Sequence, residues 1–367
     1  MLPPDDRRAL APEDLNRSGG LHAPDDRRAL APGDPNRSPI TLRPGTDDDA
    51  EIYIRLIGDA WAEFPGVIFD VDGELPELRA LAAHFAAMGG VIWLAGDAQG
   101  MIATRPLRED GAWEIGRMYV AKSARGTGLA QHLLATAEAH ARAAGAERMV
   151  LWTDTRFEAA HAFYEKAGYV RQGAIRILDD LSKSLEFRYA KPSRGLVVEM
   201  LDAAAAASAE RRLAEILIAC VAAGASVSYL HPLSRDKSRA FWKRVSTDVA
   251  QGHRVLLAAW AEGHLAGTVQ LDLATPENQP HRAEVGKLLV DPAFRRQGVG
   301  EALMRRAEQA AQRLGRKLLT LDTRAGDLAE PLYRRLGWQE GGRIPGYSLD
   351  EAGRARDTLY FFKQLPA

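Results

Sequence analysis

The sequence contains one cysteine, Cys220, so it can form neither a disulfide bond within the chain nor a cysteine-based metal cluster. A reduced, cytoplasmic setting fits this composition best. No run predicts a membrane span, because the longest apolar stretch, residues 213–230, is interrupted by Glu215 and Gly224. We interpret this stretch as an amphipathic helix with the turn that follows it. The first residues lack the apolar centre of a secretory signal, so we predict a cytoplasmic protein.

The chain also has no large excess of basic or of acidic residues. The 367 residues include 48 Lys and Arg against 49 Asp and Glu, a formal net charge of −1. Such a chain exerts no general attraction on nucleic acid or on acidic membranes, so we expect neither partner. No paired histidine motif predicts a metal site. The length is comfortable for two globular domains.

The first 39 residues carry a repeat of their own. PDDRRALAPEDLNRS, residues 4–18, returns as PDDRRALAPGDPNRS, residues 24–38. Two copies so rich in Pro, Asp and Arg cannot bury a stacked apolar core. We therefore predict a disordered leader over residues 1–39, with a partner-binding peptide as the alternative.

From Ile40 onward, the hydrophobic pattern predicts the same order of strands and helices twice. Matched residues also keep their spacing, because five of them recur 170 positions later. These pairs are Glu114 and Glu284, Val120 and Val290, Arg125 and Arg295, Gly128 and Gly298, and Ala130 and Gly300. The register predicts a tandem duplication of an α+β module, with modules at residues 40–191 and 196–367 and a linker at residues 192–195.

Each module places a Gly-rich segment between a strand and a helix. Backbone N–H groups at a helix start, together with the helix dipole, attract anions, and glycine lets a phosphate approach closely. We therefore predict a phosphate or pyrophosphate ligand. The dinucleotide fingerprint fails, because its third glycine position holds Gln131 in one copy and Leu303 in the other. Neither copy has the Lys-Ser/Thr ending of a nucleoside-triphosphate loop.

The Gly-rich segments resemble the acetyl-CoA signature of the GNAT superfamily of N-acetyltransferases, [QR]-x-x-G-x-[GA]. RGTGLA at residues 125–130 and RRQGVG at residues 295–300 both match it, and FYEKAGY and LYRRLGW resemble the late tyrosine element of the family. The resemblance covers both modules. It implies a mixed, mainly antiparallel sheet flanked by helices in each module, with a splayed cleft for the cosubstrate acetyl-CoA and no metal.

The resemblance also implies which residues hold acetyl-CoA. Strand amides would bind the pantetheine arm and the acetyl oxygen, and the loop would bind the pyrophosphate. The residues at these positions are Met118, Val120, Arg125, Gly126, Thr127, Gly128, Leu129 and Ala130 in the first module, and Leu288, Val290, Arg295, Arg296, Gln297, Gly298, Val299 and Gly300 in the second. The family often has a CoA-contacting asparagine seven residues before its late tyrosine, but Phe157 and Gly326 stand there.

Four residues are candidates for proton transfer. An alkylammonium has a pKa near 10.4, so the acceptor amine must lose a proton before it attacks. Glu114 and Glu284 match the glutamate base of several family members, and regular alternation would put residues 114, 116, 118 and 120 on one face. Tyr164 and Tyr333 match the tyrosine that protonates the CoA sulfur. The alternatives are solvated carboxylates and core aromatics.

Several further residues receive weaker expectations. His161 is expected to be a surface histidine, and Asp154 and Asp322 are expected to cap the helices that follow them. Asn278, Gln279 and His281 precede the strand of Glu284 and are candidate determinants of acceptor specificity.

The resemblance implies an N-acetyltransferase that acts on a primary amine of a small molecule by direct attack in a ternary complex. The second module resembles the tabtoxin-resistance type, which acetylates a β-lactam dipeptide-derived toxin, in GTVQLDLATPENQPHRAEVGKLLV and LDTRAGDLAEPLYRRLGW. Two alternatives stay open. One module catalyses while the other binds CoA or supports the fold, or both modules surround one substrate, as in mycothiol synthase.

Overall fold

The structure is a computed structural model that describes residues 40–108 and 111–366. The predicted leader lies outside the described residues. Two mixed sheets with flanking helices follow each other along the chain, which confirms the predicted α+β class. Within the described part, no helix is long and apolar enough to cross a membrane.

The first sheet has eight strands and four associated α-helices. Its strands are β1 (Leu42–Pro44), β2 (Val91–Ala95), β3 (Gly100–Pro106), β4 (Ala112–Val120), β5 (Arg148–Asp154), β6 (Val170–Arg171), β7 (Arg176–Ile177) and β8 (Leu185–Pro192). Its helices are α1 (Ala50–Trp61), α2 (Leu81–Ala87), α3 (Leu129–Ala143) and α4 (Glu158–Lys166). The strand order is β1-β2-β3-β4-β5-β8-β6, with β7 also paired to β8, and only β4 and β5 run parallel.

The second sheet has seven strands and five associated α-helices. Its strands are β9 (Leu196–Leu201), β10 (Arg254–Ala261), β11 (His264–Asp272), β12 (Arg282–Val290), β13 (Leu318–Arg324), β14 (Gln339–Leu349) and β15 (Ala355–Gln364). Its helices are α5 (Ala203–Ser208), α6 (Glu210–Ala222), α7 (Arg235–Ala250), α8 (Val299–Arg313) and α9 (Glu330–Arg335). The order β14-β15-β13-β12-β11-β10-β9 repeats the topology of the first sheet, again with one parallel pair, β12 and β13.

In the second half, the alanine-rich segment is divided into helices α5 and α6 at Ala209, and β14 forms a long outer strand. Strands β10 and β11 form a hairpin, and Glu262 and Gly263 have φ values of 47° and 79° at its turn. Two consecutive left-handed residues give the tight turn that matches strand twist.

The two sheets meet through buried contacts. The indole Nε1 of Trp260 in β10 donates a hydrogen bond to the Gly168 carbonyl at 3.0 Å, and this tryptophan is fully buried. Val170 of β6 belongs to the same apolar cluster as Trp260 and Leu213. Ser193, in the predicted linker, is also fully buried. The two halves therefore share part of one core.

Candidate active site

In each half the parallel pair of strands opens into a cleft. β4 pairs with β5 only over residues 112–115, although β4 continues to Val120 and β5 to Asp154. In the same way, β12 pairs with β13 only over residues 282–284. Beyond these points the facing edges have no ladder partner, so both modules contain the splayed strands that the family resemblance implied.

The open edges present backbone groups to the cleft. The Ala121 N–H donates to the Gln99 carbonyl at 2.8 Å, on the β3 side of the strand. Because successive residues of a strand direct their backbone groups to opposite edges, Val120 and Met118 direct theirs into the cleft. The Asp291 N–H donates to Ala266 in the equivalent way, so Val290 and Leu288 face the second cleft. These are the four strand residues named as acetyl-binding candidates.

A β-bulge interrupts the strand at the mouth of each cleft. Between two paired positions β3 advances by two residues and β4 by three, and the second sheet repeats this shift. Arg117 and Lys287 lie in these bulges with φ values of 47° and 51°. The expectation that residues 114–120 alternate regularly was therefore wrong, because one extra residue re-aims the strand.

The Gly-rich segments form left-handed turns that lead into α3 and α8. Gly128 and Gly298 are the N-cap residues, with φ values of 91° and 83°. The first-turn N–H groups of a helix have no partner inside the helix, so both turns can accept an anion. The residue two positions before each N-cap glycine also has a left-handed backbone. This residue is Gly126 in the first turn and Arg296 in the second.

The first arginine of each signature links the turn to the strand end. Arg125 Nε donates to the Val120 carbonyl and Arg295 Nε to the Val290 carbonyl, both at 3.4 Å. Their surroundings differ. Arg125 Nη1 also donates to a Glu63 carboxylate at 2.8 Å, whereas the buried Cys220 thiol lies 3.3 Å from the Val290 carbonyl. Burial raises the pKa of Cys220, which leaves it protonated and able to donate to that carbonyl.

In the first module the catalytic candidates line one cavity of 630 Å³. Glu114, Met118 and Tyr164 all contribute to its wall, and the Tyr164 hydroxyl lies 3.5 Å from Met118 Sδ. Burial raises the pKa of Tyr164, and it does the same for Tyr333 in the second module. Both phenols therefore stay protonated near neutral pH and can act as proton donors.

The two glutamates occupy different surroundings. Arg105 Nε donates to Glu114 Oε2 at 2.7 Å, and only 15% of the Glu114 side chain is exposed. Glu284 has 54% of its side chain exposed, and its nearest cation, Arg282 Nη1, lies 3.7 Å away. Both are accessible to an incoming amine, but Glu114 is held by a partner and Glu284 is largely solvated.

Three of the weaker expectations were wrong. His161 is half-buried, since its Nε2 lies 2.9 Å from the Asp154 carbonyl and its ring packs against Phe187 and Tyr189. Asp154 does not cap α4. Its carboxylate pairs with Arg156 instead, and these hydrogen bonds lower the pKa of Asp154 although burial opposes the shift.

The expectation that Asp322 caps the helix after it was also wrong, because no side chain caps α9.

Asn278 and His281 are exposed ahead of β12, about 20 Å along the strand from Leu288, and Gln279 accepts a hydrogen bond from Arg282 there. These three residues lie at the paired end of β12, whereas the cleft is at its other end.

Long-range contacts around the first cavity could not be predicted from local sequence. The Ile68 N–H donates to Ser182 Oγ at 2.8 Å, and the Leu181 N–H donates to Glu74 Oε1 at 2.6 Å. These bonds join the α1–α2 segment to the β7–β8 segment, and both segments line the cavity. No sequence pattern marks residues that meet across more than 100 positions.

The model of the acetyltransferase (GNAT) family matches residues 55–169 and residues 222–338. The chain belongs to this family. The family is one of acetyltransferases, and each match contains one Gly-rich turn and one splayed strand.

Individual relatives match single segments of this GNAT chain. A mycothiol acetyltransferase of Salinispora arenicola is 33% identical over 138 residues, which are 36% of this chain and 44% of that protein. The protein named "Probable N-acetyltransferase 14" of Xenopus tropicalis is 30% identical over 98 residues, 26% of this chain and 48% of the relative. The matches thus span about half the length of these relatives.

The solved structures that match each cover about half of this chain. An N-acetyltransferase of Staphylococcus aureus is 15% identical, with a TM-score of 0.40, and covers 47% of this chain and 99% of its own. An acetyltransferase of Salmonella typhimurium, solved with its cofactor acetyl-CoA, is 19% identical at the same TM-score and covers 47% of this chain and 95% of its own.

Proposed function

We propose that this GNAT protein transfers the acetyl group of acetyl-CoA to a primary amine of a small molecule, in a ternary complex and without a covalent enzyme intermediate. One catalytic module comprises residues 40–191 and the other residues 196–367. The observation that carries the proposal is the cavity of the first module, because its wall contains Glu114, Met118 and Tyr164 beside the open strand edge.

Each residue has a defined task in this proposal. Acetyl-CoA supplies an activated thioester when bound. The turn amides at Gly128 and Gly298 hold its pyrophosphate, and the cleft-facing amides of β4 and β12 stabilise negative charge on the acetyl oxygen. Glu114 and Glu284 take a proton from the acceptor ammonium, directly or through water. Tyr164 and Tyr333 return a proton to the departing sulfur.

The size of the first cavity supports a small acceptor. The bonds from Ile68 to Ser182 and from Leu181 to Glu74 hold together two segments that contribute residues to its wall. A cavity of 630 Å³ accommodates a metabolite-sized amine. The family model leaves the acceptor open, so this part of the proposal depends on shape alone.

The test follows CoA thiol release with a panel of amino acids, polyamines, aminoglycosides, β-lactam dipeptide mimics and short peptides. Gly128→Asp and Gly298→Asp each place a negative charge at one turn, and Gly128→Asn and Gly298→Asn are the matched neutral controls. Asp and Asn both tolerate the left-handed conformation, so the pairs differ mainly in charge. We expect each Asp variant to lose the reactions of its own module, while the Asn variants keep more of them.

The alternative that only one module catalyses predicts a different pattern. All thiol release would then depend on one turn, and charge at the other turn would change only acetyl-CoA binding. No release from any acceptor, with acetyl-CoA still bound, would contradict acetyl transfer to the tested classes of amine.

A further inference from the structure

A buried glutamine and a glycine face each other beside the second cleft. Gln270 of β11 is the direct cross-strand partner of Gly286 of β12, so their side-chain positions share one face of the sheet. Leu256, on the other side of Gln270, packs into the cluster beneath α6 and α7, which identifies this as the helix-covered face. Glu284 lies two residues before Gly286 and therefore on the same face.

The Gln270 side chain has an unused donor. Its Oε1 accepts a hydrogen bond from Arg254 Nη1 at 2.8 Å. Because arginine can only donate, this contact fixes the amide orientation and turns Nε2 away from Arg254. Gln270 is fully buried, and within the described residues its Nε2 has no hydrogen-bond partner. A buried donor without a partner is destabilising, so a bound acceptor group would remove this penalty.

The space at Gly286 is open in the second module, whereas the space at the matched Gly116 is filled in the first. A methyl group added at Gly286 would meet no atom within 4 Å. At the equivalent Gly116, it would lie 3.5 Å from the Phe85 ring. The second module therefore leaves room for a ligand group where the first places an aromatic side chain.

A cation borders the same space. Lys287 follows Gly286 in the bulge, and its Nζ lies 3.3 Å from Ser228 Oγ. Among the described residues, no carboxylate lies within ion-pair distance of Lys287, whereas the equivalent Arg117 pairs with Glu77 at 2.7 Å. Burial lowers the pKa of Lys287, while Asp322 and Glu284 oppose the shift, so both carboxylates are within electrostatic range of its ammonium.

We propose that Gln270, Gly286 and Lys287 form an acceptor subsite for a carboxylate. Gln270 Nε2 and Lys287 Nζ would donate to the carboxylate oxygens in the space above Gly286, and Glu284 would receive the amine of the same molecule. The second module then takes amino acids and amino-acid-like acceptors, with amine and carboxylate close together. This inference rests on the proposed N-acetyl transfer in that module.

Pairs of acceptors that differ only in the carboxylate test this subsite. The probes are L-lysine with cadaverine, and L-alanine with ethylamine, measured as kcat/KM in the Gly128→Asp background so that the second module reports alone. Lys287→Met removes the cation, Lys287→Arg restores it, and Gln270→Leu removes the buried donor. Arg117→Met is the matched change in the first module.

We expect the preference for the amino acid over its decarboxylated amine to fall about tenfold or more in Lys287→Met, because a charge-assisted hydrogen bond to the carboxylate is lost. The loss should appear mainly in the KM for the amino acid. Lys287→Arg should keep most of the preference, and Arg117→Met should keep all of it. An equal preference in wild type and Lys287→Met would overturn the subsite.

A second readout separates the subsite from the transfer reaction. Binding of L-alanine and L-lysine in the presence of CoA is measured by calorimetry on the full chain. Binding that depends on Lys287 without thiol release would support the subsite while the proposed transfer fails. Thiol release with no dependence on Lys287 would support transfer and overturn the subsite. An acetyl group found on Lys287 by mass spectrometry after incubation with acetyl-CoA alone would also overturn it, because that lysine would then be the acceptor.

Discussion

The two modules match closely at the Gly-rich turn and the splayed strand, where we propose that acetyl-CoA binds, and differ around the proposed acceptor. Both have a strand that separates from its parallel neighbour, a bulge with a left-handed residue, and a helix that begins at a left-handed glycine. On the other side, Phe85 covers Gly116, whereas the space at Gly286 is open. Glu114 is held by Arg105, whereas Glu284 is solvated.

This difference has a physical reason. Contacts to phosphates and to an acetyl oxygen are made by backbone groups, so many side chains are compatible with them. Contacts that select an acceptor are made by side chains, and two copies of one module can change these without loss of the cosubstrate site. The comparison therefore predicts two acetyl-CoA sites with different acceptors.

The largest effect on stability is expected at the boundary between the halves. Trp260 is fully buried and bonded across the boundary to Gly168, whereas Trp93, in β2 of the first sheet, is only partly buried. Trp260→Ala should lower the free energy of unfolding by about 3–5 kcal/mol, and Trp93→Ala should lower it by roughly half as much. Urea denaturation measures both, and equal losses would show that the boundary contact adds nothing.

The two late tyrosines should behave alike. Tyr164→Phe and Tyr333→Phe remove only a hydroxyl from buried rings, so the fold should persist. Loss of a proton donor should lower the kcat of the affected module about 100-fold. The measurement is kcat with an acceptor specific to each module, together with thermal unfolding as a control. Unchanged kcat in either variant would leave that tyrosine as a core residue only.

The two glutamates should separate catalysis from stability. Glu284→Gln should lower turnover in the second module at least tenfold with little change in stability, because this side chain is mostly solvated. Glu114→Gln should lower turnover in the first module and also cost about 1 kcal/mol, because Arg105 loses its charged partner.

The pH–rate profile distinguishes a base from a positioning residue. If a glutamate acts as the base, activity falls toward low pH as it becomes protonated, and the Gln variant lacks that limb. Arg105→Met is the control for Glu114, since it removes the ion pair and keeps the carboxylate. An unchanged acid limb in both Gln variants would exclude the glutamates as bases.

The smallest expected effects are at the turns. Arg296 has a φ of 64°, a conformation that costs a side-chain-bearing residue about 1–2 kcal/mol. Arg296→Gly should therefore stabilise the chain slightly, by about 0.5 kcal/mol after the entropy of glycine in the unfolded state is included. The matched change Gly126→Ala should destabilise it by about 1 kcal/mol. If both substitutions raised the free energy of unfolding, or both lowered it, backbone strain would not distinguish these turns.

The sequence predicted the backbone of the Gly-rich turns and of the strands before them well. Glycine spacing, strand pattern and the duplication together located the turns at Gly128 and Gly298 and the strands before them. These features are local, and each is repeated. The bulges at Arg117 and Lys287 were missed because a bulge depends on the register between two strands, and single-strand alternation does not contain that information.

The acceptor side was predicted less well, because distant residues form it. The ion pair between Arg105 and Glu114 crosses two strands, and the unused donor of Gln270 becomes apparent only when Arg254 is seen to fix its amide. Asn278 was chosen for being close in sequence to Glu284, but β12 places it at the far end of the strand.

The most direct test of the central claim is the number of acetyl-CoA molecules that one chain binds, measured by titration calorimetry. We expect two per chain in the wild type and one in each of Gly128→Asp and Gly298→Asp, with two retained in the Asn controls. One molecule per chain in the wild type, lost entirely in only one Asp variant, would contradict the claim that both modules hold acetyl-CoA.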